Sequence, residues 1–322
     1  MSVKKIAVLT SGGDAPGMNA AIRSVTRTAL NRGVDVFGVY RGFNGLINSD
    51  IFPMNLRSVS DIIHRGGTML YTARCPEFNT EQGVQKAVEV CRDNGIEGVV
   101  VIGGDGSFRG ARDLTKRGMP CVGIPGTIDN DISCCDYTIG FDTAMNTCMD
   151  MVDKLRDTAQ SHDRCSVVEV MGRNAGYLAL NVGIAVGATS VLVPEIPYDF
   201  ERDILKRMNT TSYTGKKHFI VVVAEGVGGV MELSEKIEKL TGIESRATIL
   251  GHVQRGGSPT VRDRVLASEM GHHAVELLLE GKSNRVVSFQ NDKILDFDIE
   301  VALEMKKPFD FELYNMAHEI SI

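Results

Sequence analysis

The stretch that decides the fold is Cys121-Val122-Gly123-Ile124-Pro125-Gly126-Thr127-Ile128-Asp129-Asn130-Asp131. Residues 121–124 form an apolar run that reads as a buried strand. The loop that follows puts a hydroxyl and two carboxylates at alternate positions. Alternation lets Thr127, Asp129 and Asp131 face the same side. They then stand at a strand's carboxyl end, where open α/β sheets bind ligands.

A second such end lies upstream. Val99-Val100-Val101-Ile102 runs into Gly103-Gly104-Asp105-Gly106-Ser107, a glycine-rich turn whose backbone approaches phosphates closely and whose Asp105 suits a divalent cation. Further strand-like runs at 6–10, 34–40, 167–171, 191–193 and 219–224 alternate with helical patterns, which is α/β order. Between Phe141 and Asp157, Met145, Cys148, Val152 and Leu155 recur at spacings of three and four, the mark of an amphipathic helix. Pro259 to Leu279 reads as another long helix, started by Pro259 and ended by Gly281.

Composition narrows the classes. A chain of 322 residues predicts about two domains, although no linker or low-complexity tract marks a boundary. No apolar run reaches the ~20 residues that span a bilayer, so neither a membrane span nor a signal peptide is expected. Seven cysteines, an odd number without a C-x-x-C pair, support neither a disulfide framework nor a zinc site, and reduced cytoplasmic thiols are the simplest reading. The formal charge of −6 argues against nucleic acid or anionic lipid as partners, so any anion site is local.

One local site is suggested by Arg246, His252 and Arg255, which cluster beside Gly256-Gly257 at a strand's end and suit a phosphate clamp. Met171-Gly172-Arg173 and Ala224-Glu225-Gly226 likewise end strands with a charged group: Arg173 can neutralise developing charge, Glu225 can accept from sugar hydroxyls. Arg23 and Arg27 project from one helix face at i and i+4. Of the two loop carboxylates one would accept the proton of an attacking hydroxyl and the other orient it or help hold metal. The central Asp129 is preferred as base, though sequence alone does not rank the pair. There is no G-x-x-x-x-G-K-[ST] and no complete dinucleotide fingerprint, since the glycine pattern from Gly104 meets Arg109. Together these groups suggest phosphoryl transfer.

Leu9 to Asp14, Gly103 to Ser107, Pro125 to Asp131, Met171 to Arg173 and Gly251 to Pro259, five motifs in order over nearly the whole chain, resemble the bacterial ATP-dependent 6-phosphofructokinase family. The resemblance implies two three-layer α/β/α domains with mainly parallel sheets, a larger ATP-binding one over 1–139 plus 252–306 and a smaller sugar-phosphate one over 140–251 plus 307–322. It implies transfer of the ATP γ-phosphoryl group to the 1-hydroxyl of fructose 6-phosphate, with Mg2+ at Asp105. Position by position, Gly13, Arg74, Cys75, Gly104, Asp105, Gly106 and Ser107 would contact ATP. Asp129 would be the proton acceptor, with Thr127, Asp131 and Arg173 as its catalytic neighbours. Ile128, Met171, Gly172, Glu225, His252 and Arg255 would hold the sugar phosphate beside them, with Arg164 and Arg246 reaching in from a neighbouring subunit of a homotetramer.

Pyrophosphate-using relatives carry Asp where Gly106 stands and Lys where Gly126 stands, so the resemblance implies ATP as donor. Arg23, Arg27, Arg57, Asp61, Arg156, Gly187 and Lys216 fall in or beside the family's effector pattern. Thr189 replaces a glutamate that helps hold the effector's metal, and Leu56 replaces an arginine, which implies weak or altered control by ADP and phosphoenolpyruvate. The rival readings are a kinase of the NAD or diacylglycerol type, which leaves the Pro125 to Asp131 loop without a purpose, and a non-catalytic nucleotide sensor, which has no need of a base.

Overall fold

The computed structural model describes residues 3–321, which fold as two compact units. The first holds the chain up to Ile128, Ile132–Thr143 and Arg255–Lys307; the second holds Asp129–Asp131, Ala144–Gln254 and the chain from Pro308 on. The strands are β1 (Lys5–Thr10), β2 (Asp35–Val39), β3 (Ile51–Met54), β4 (Gly98–Gly103), β5 (Cys121–Pro125), β6 (Cys165–Val170), β7 (Ser190–Leu192), β8 (Phe219–Ala224), β9 (Ser245–Ile249), β10 (Arg285–Gln290) and β11 (Lys293–Asp298). The helices are α1 (Met18–Asn31), α2 (Gly42–Ile47), α3 (Glu81–Asp93), α4 (Asp105–Lys116), α5 (Phe141–Ser161), α6 (Tyr177–Ala185), α7 (Lys206–Tyr213), α8 (Val230–Thr241), α9 (Val261–Leu279), α10 (Ile299–Glu304) and α11 (Phe311–Glu319).

In the first unit the strands run in the order β11-β10-β5-β4-β1-β2-β3, parallel except for β3 and β11 at the two edges. Every residue of β4 and β5 is buried, as continuous β-branched runs require when helices cover both faces. From β1 the chain steps outward to β2 through α1, and from β4 it steps the other way to β5 through α4. Right-handed crossovers in opposite directions put α1 and α4 on opposite faces. The edge hairpin β10–β11 was not legible as a periodic run; its turn is Asn291-Asp292, both at positive φ, the pair that a tight primed turn demands.

The second unit is a four-stranded parallel sheet in the order β7-β8-β6-β9. Val167, Val221 and Val223 pack on Ile204, Met208, Leu233 and Ile237 to form its core on one face. Of the four apolar positions that the spacing of three and four picked out on α5, Cys148 and Val152 are fully buried, whereas Met145 and Leu155 are half-buried. The start of α9 differs from expectation. Pro259 stands before the helix, and Thr260 caps it by accepting from the amide of Asp263 at 3.3 Å, because a side-chain oxygen satisfies an orphan amide that proline can only omit. Gly281, at φ 74, does follow its last turn.

Asp263 is fully buried, and its carboxylate accepts from the amides of Gly140 and Thr143, each at 2.8 Å, and from the Thr143 hydroxyl at 2.5 Å. It thereby anchors the start of α5 within the first unit. Among the described residues, no helix is long and apolar enough to cross a membrane.

Candidate active site

In the first unit three neighbouring parallel strands, β5, β4 and β1, deliver their carboxyl ends to one edge. There the turns after β1 and β4 are tied together. Ser11 N donates to Ile102 O at 2.9 Å, and Ser107 Oγ donates to Ser11 O at 3.1 Å. The turns Gly12-Gly13-Asp14 and Gly103-Gly104-Asp105 are therefore adjacent in space. Only the second opens directly into a helix: Gly104 is the N-cap of α4 and offers no side chain to its first amides, leaving them for an anion. A Cβ added at Gly104 or Gly106 would meet nothing within 4 Å, whereas at Gly13 it would lie 2.4 Å from Nη1 of Arg255. The Arg255 guanidinium comes close to that bare backbone and donates to Asp14 O at 3.1 Å. Arg74 is exposed and Cys75 half-buried, at the start of a short 3-10 turn over Pro76–Asn79.

The loop after β5 is held by a short parallel bridge between Gly126 and Ile139. Thr127 N donates to Ile139 O at 3.0 Å, and Thr138 Oγ1 donates to Thr127 O at 2.7 Å. Thr127 is 8% exposed, Asp129 7% and Ile128 0%, while Asp131 is half-buried. The two carboxylates thus differ in environment, a ranking that sequence did not supply. Asn130 at φ 52 breaks the extended backbone, so simple alternation does not carry across it to Asp131.

In the second unit, β6, β8 and β9 bring Met171-Gly172-Arg173, Glu225 and the start of the 3-10 turn, from Gly251 to Gln254, to one edge. Gly172 (φ 132) and Arg173 (φ 59) lie in the left-handed region, and the Arg173 amide donates to Glu225 Oε1 at 2.6 Å. Burial, with Glu225 nearby, raises the Glu169 carboxyl above its ordinary range. Tyr177, just beyond, has its phenol pushed up to about 12 by burial and then by Glu195 and Asp131. His252 is exposed, and the turn carrying it is fixed by Gln254.

Arg246 does not join His252. It pairs with Ser166 near the start of β9, at the opposite edge of the sheet, because an extended strand separates residues close in sequence by about 3.3 Å each. The expected three-residue clamp is therefore not formed at that edge. Arg246 instead shares Glu244 with Arg164: Arg164 Nε lies 2.7 Å from Glu244 Oε2, and Arg246 Nη2 donates to Glu244 Oε1. Glu244 and Gln254 had no assigned role in the sequence; the signal available was Gln254's place between His252 and Arg255.

The effector-pattern residues fall in both units. In the first, Arg23 has its pKa lowered by burial and then by Arg27, whose Nε is buried without a hydrogen-bond partner. Arg57 and Asp61 are exposed, Asp61 at φ 56. In the second, Arg156 donates to Val186 O, and Lys216 has its pKa lowered by burial and then by Arg156. His218 is lowered by burial and then by both cations. Gly187 sits at φ 56 with open space around it, and Thr189 is 1% exposed with its hydroxyl unpartnered. These cations suit an anion, and no carboxylate stands at 189.

The phosphofructokinase family profile matches residues 5–278. The chain is 59% identical over 319 residues, covering 99% of it and 100% of the relative, to the ATP-dependent 6-phosphofructokinase of Clostridium botulinum strain Hall. It is equally similar to ATP-dependent 6-phosphofructokinase 1 of Clostridium perfringens strain 13. Among solved structures, phosphofructokinase from Saccharomyces cerevisiae superposes with a TM-score of 0.89 at 35% identity over 99% of this chain; the chain spans 48% of that longer protein. A pyrophosphate-dependent phosphofructokinase from Marinobacter aquaeolei shares the fold, with a TM-score of 0.86 at 22% identity over 96% of this chain and 86% of that one.

Proposed function

Because the chain belongs to the phosphofructokinase family, we propose that it phosphorylates the 1-hydroxyl of fructose 6-phosphate with ATP, giving fructose 1,6-bisphosphate and ADP. The observation that carries the reading is the pair of sheet edges: uncapped α4 amides and bare glycines in the first unit suit polyphosphate, and Arg173, Glu225 and His252 in the second suit a phosphorylated sugar.

The open space at Gly106 favours a whole nucleotide as donor, since an aspartate there would repel an α-phosphate. Gly126 carries less of that argument, because a Cβ there would press on Ile102 and Met18 at 3.2 and 3.3 Å. Among the described residues no group of three or more His, Cys, Asp or Glu is placed to hold a metal. A single carboxylate, Asp105 in the first turn of α4, fits Mg2+, which keeps several waters and is completed by substrate phosphates. When bound, Mg2+ neutralises charge on the donor phosphates.

Asp129, 7% exposed, accepts the proton of the sugar hydroxyl as its oxygen attacks phosphorus; Asp131 orients that hydroxyl and Thr127 hydrogen-bonds the phosphoryl group in flight. Arg173 offsets charge on the transferring group, and Glu225 holds the Arg173 backbone while accepting from sugar hydroxyls. We assign Arg74, Cys75, Ser107, Gly13 and Gly104 of the first unit to ATP; Met171, Gly172 and His252 of the second unit, and Ile128 and Arg255 of the first, are assigned to the sugar phosphate. The position of Arg164 and Arg246 at the far edge of their sheet supports their serving a neighbouring subunit of a homotetramer. Seven free cysteines, six of them buried, support a reducing, cytoplasmic setting.

The decisive assay is ADP release with Mg-ATP and fructose 6-phosphate, run beside pyrophosphate and an Asp129→Asn variant. Sugar-dependent turnover with ATP alone, falling by roughly 10²–10⁴-fold in the variant, is expected. A parent protein that binds ATP without turnover would point to a sensor.

A further inference from the structure

We infer that Gln254 is a positioning residue for the sugar-phosphate side of the site, an inference that rests on the function proposed above. Gln254 is 0% exposed, yet its amide is satisfied on both ends. Oε1 accepts from the Met171 amide at 3.0 Å and from Cys148 Sγ at 3.1 Å; Nε2 donates to Gly251 O at 2.9 Å. The orientation of the amide follows from its partners, since Met171 N can only donate and Gly251 O can only accept.

These bonds join the ends of two adjacent parallel strands. Met171 begins the turn after β6, and Gly251 begins the turn after β9 that carries His252. The turn after β6 needs such support. It enters the left-handed region at Gly172 and stays there at Arg173, a non-glycine residue, and a backbone of that kind persists only where surrounding groups over-determine it. Its first amide is held by Gln254, from the β9 side, and its third, that of Arg173, by Glu225, from the β8 side. Two side chains from flanking strand ends thus clamp one turn. A leucine of similar volume would fill the same space, so the polar side chain supplies directionality rather than packing.

The test is initial-rate kinetics in both substrates, with melting temperatures, for Gln254→Leu and Gln254→Glu beside His252→Ala. Gln254→Leu is expected to raise KM for fructose 6-phosphate about tenfold while KM for ATP stays within about twofold. Gln254→Glu keeps the acceptor for Met171 and loses the donor to Gly251, so its KM should lie between; it carries the test should the leucine variant not fold. Either folded variant with a parental KM for the sugar and only a lowered melting temperature overturns the inference, as does a parallel rise in both KM values. If His252→Ala also leaves the sugar KM unchanged, the sugar-phosphate reading of these turns has failed. If His252→Ala raises it and the Gln254 variants do not, only the positioning role falls.

Discussion

The amide of Arg173 donates to Glu225 Oε1 at 2.6 Å, so a carboxylate at the end of β8 holds the backbone of an arginine at the end of β6 in a left-handed conformation. Glu225→Ala leaves that amide without its charged acceptor, a loss worth about 1.5–3 kcal/mol. We expect kcat/KM for fructose 6-phosphate to fall ten-fold or more, with Glu225→Gln intermediate. Steady-state kinetics at saturating ATP decide it, and a parental value in the alanine variant would remove Glu225 from the site.

Gly106 lies in the first turn of α4 with nothing near its missing Cβ. Gly106→Ala should therefore leave stability unchanged or raise it by about 0.5–1 kcal/mol, because alanine has less chain entropy to lose in a helix. The same methyl intrudes where the nucleotide is proposed to lie, so KM for ATP should rise. Thermal melting alongside ATP kinetics separates the two effects. Unchanged ATP kinetics would mean the donor does not pass over Gly106.

Thr189 is 1% exposed, with a buried hydroxyl and no carboxylate at its position, while Arg156, Lys216 and His218 form an anion-suited group; we propose that control by metal-bound ADP is correspondingly weak. Mg-ADP added at sub-saturating fructose 6-phosphate should change the rate less than about twofold, since cations alone do not hold a metal-bound diphosphate. Strong cooperative activation by ADP contradicts this. Lys216→Ala should diminish any response to phosphoenolpyruvate without altering kcat.

His318 on α11 is 8% exposed; its Nε2 is buried without a partner, and its ring lies 4.3 Å from that of Tyr314. Burial, with Arg207 adding, lowers its pKa to about 4 from the ordinary 6.5. The unfolded chain thus binds the extra proton first as pH falls. The stability from keeping the ring neutral is present above pH 6.5 and is lost as pH drops toward about 4, a change of roughly 3 kcal/mol. Denaturant melts across that window should slope less steeply in His318→Phe than in the parent; equal slopes would show that other groups set the acid limb.

The β-branched runs of β4, β5 and β8, the glycine-rich turns that follow β1 and β4, and the Thr127 to Asp131 loop were legible in the chain because each depends on local order: strand period, turn chemistry and spacing within a few residues. The order of motifs was specific enough to indicate the family. What only the tertiary structure decided is which of these local pieces meet. Arg246 and His252 are six positions apart yet occupy opposite edges of a sheet, because a strand carries its ends apart. Met171 and Gln254 are far apart in sequence yet share a 3.0 Å hydrogen bond, because parallel pairing of β6 with β9 aligns their ends. The difference in burial between Asp129, 7% exposed, and Asp131, half-buried, was likewise decided only by the folded chain, since desolvation depends on what packs against a side chain and not on its place in sequence.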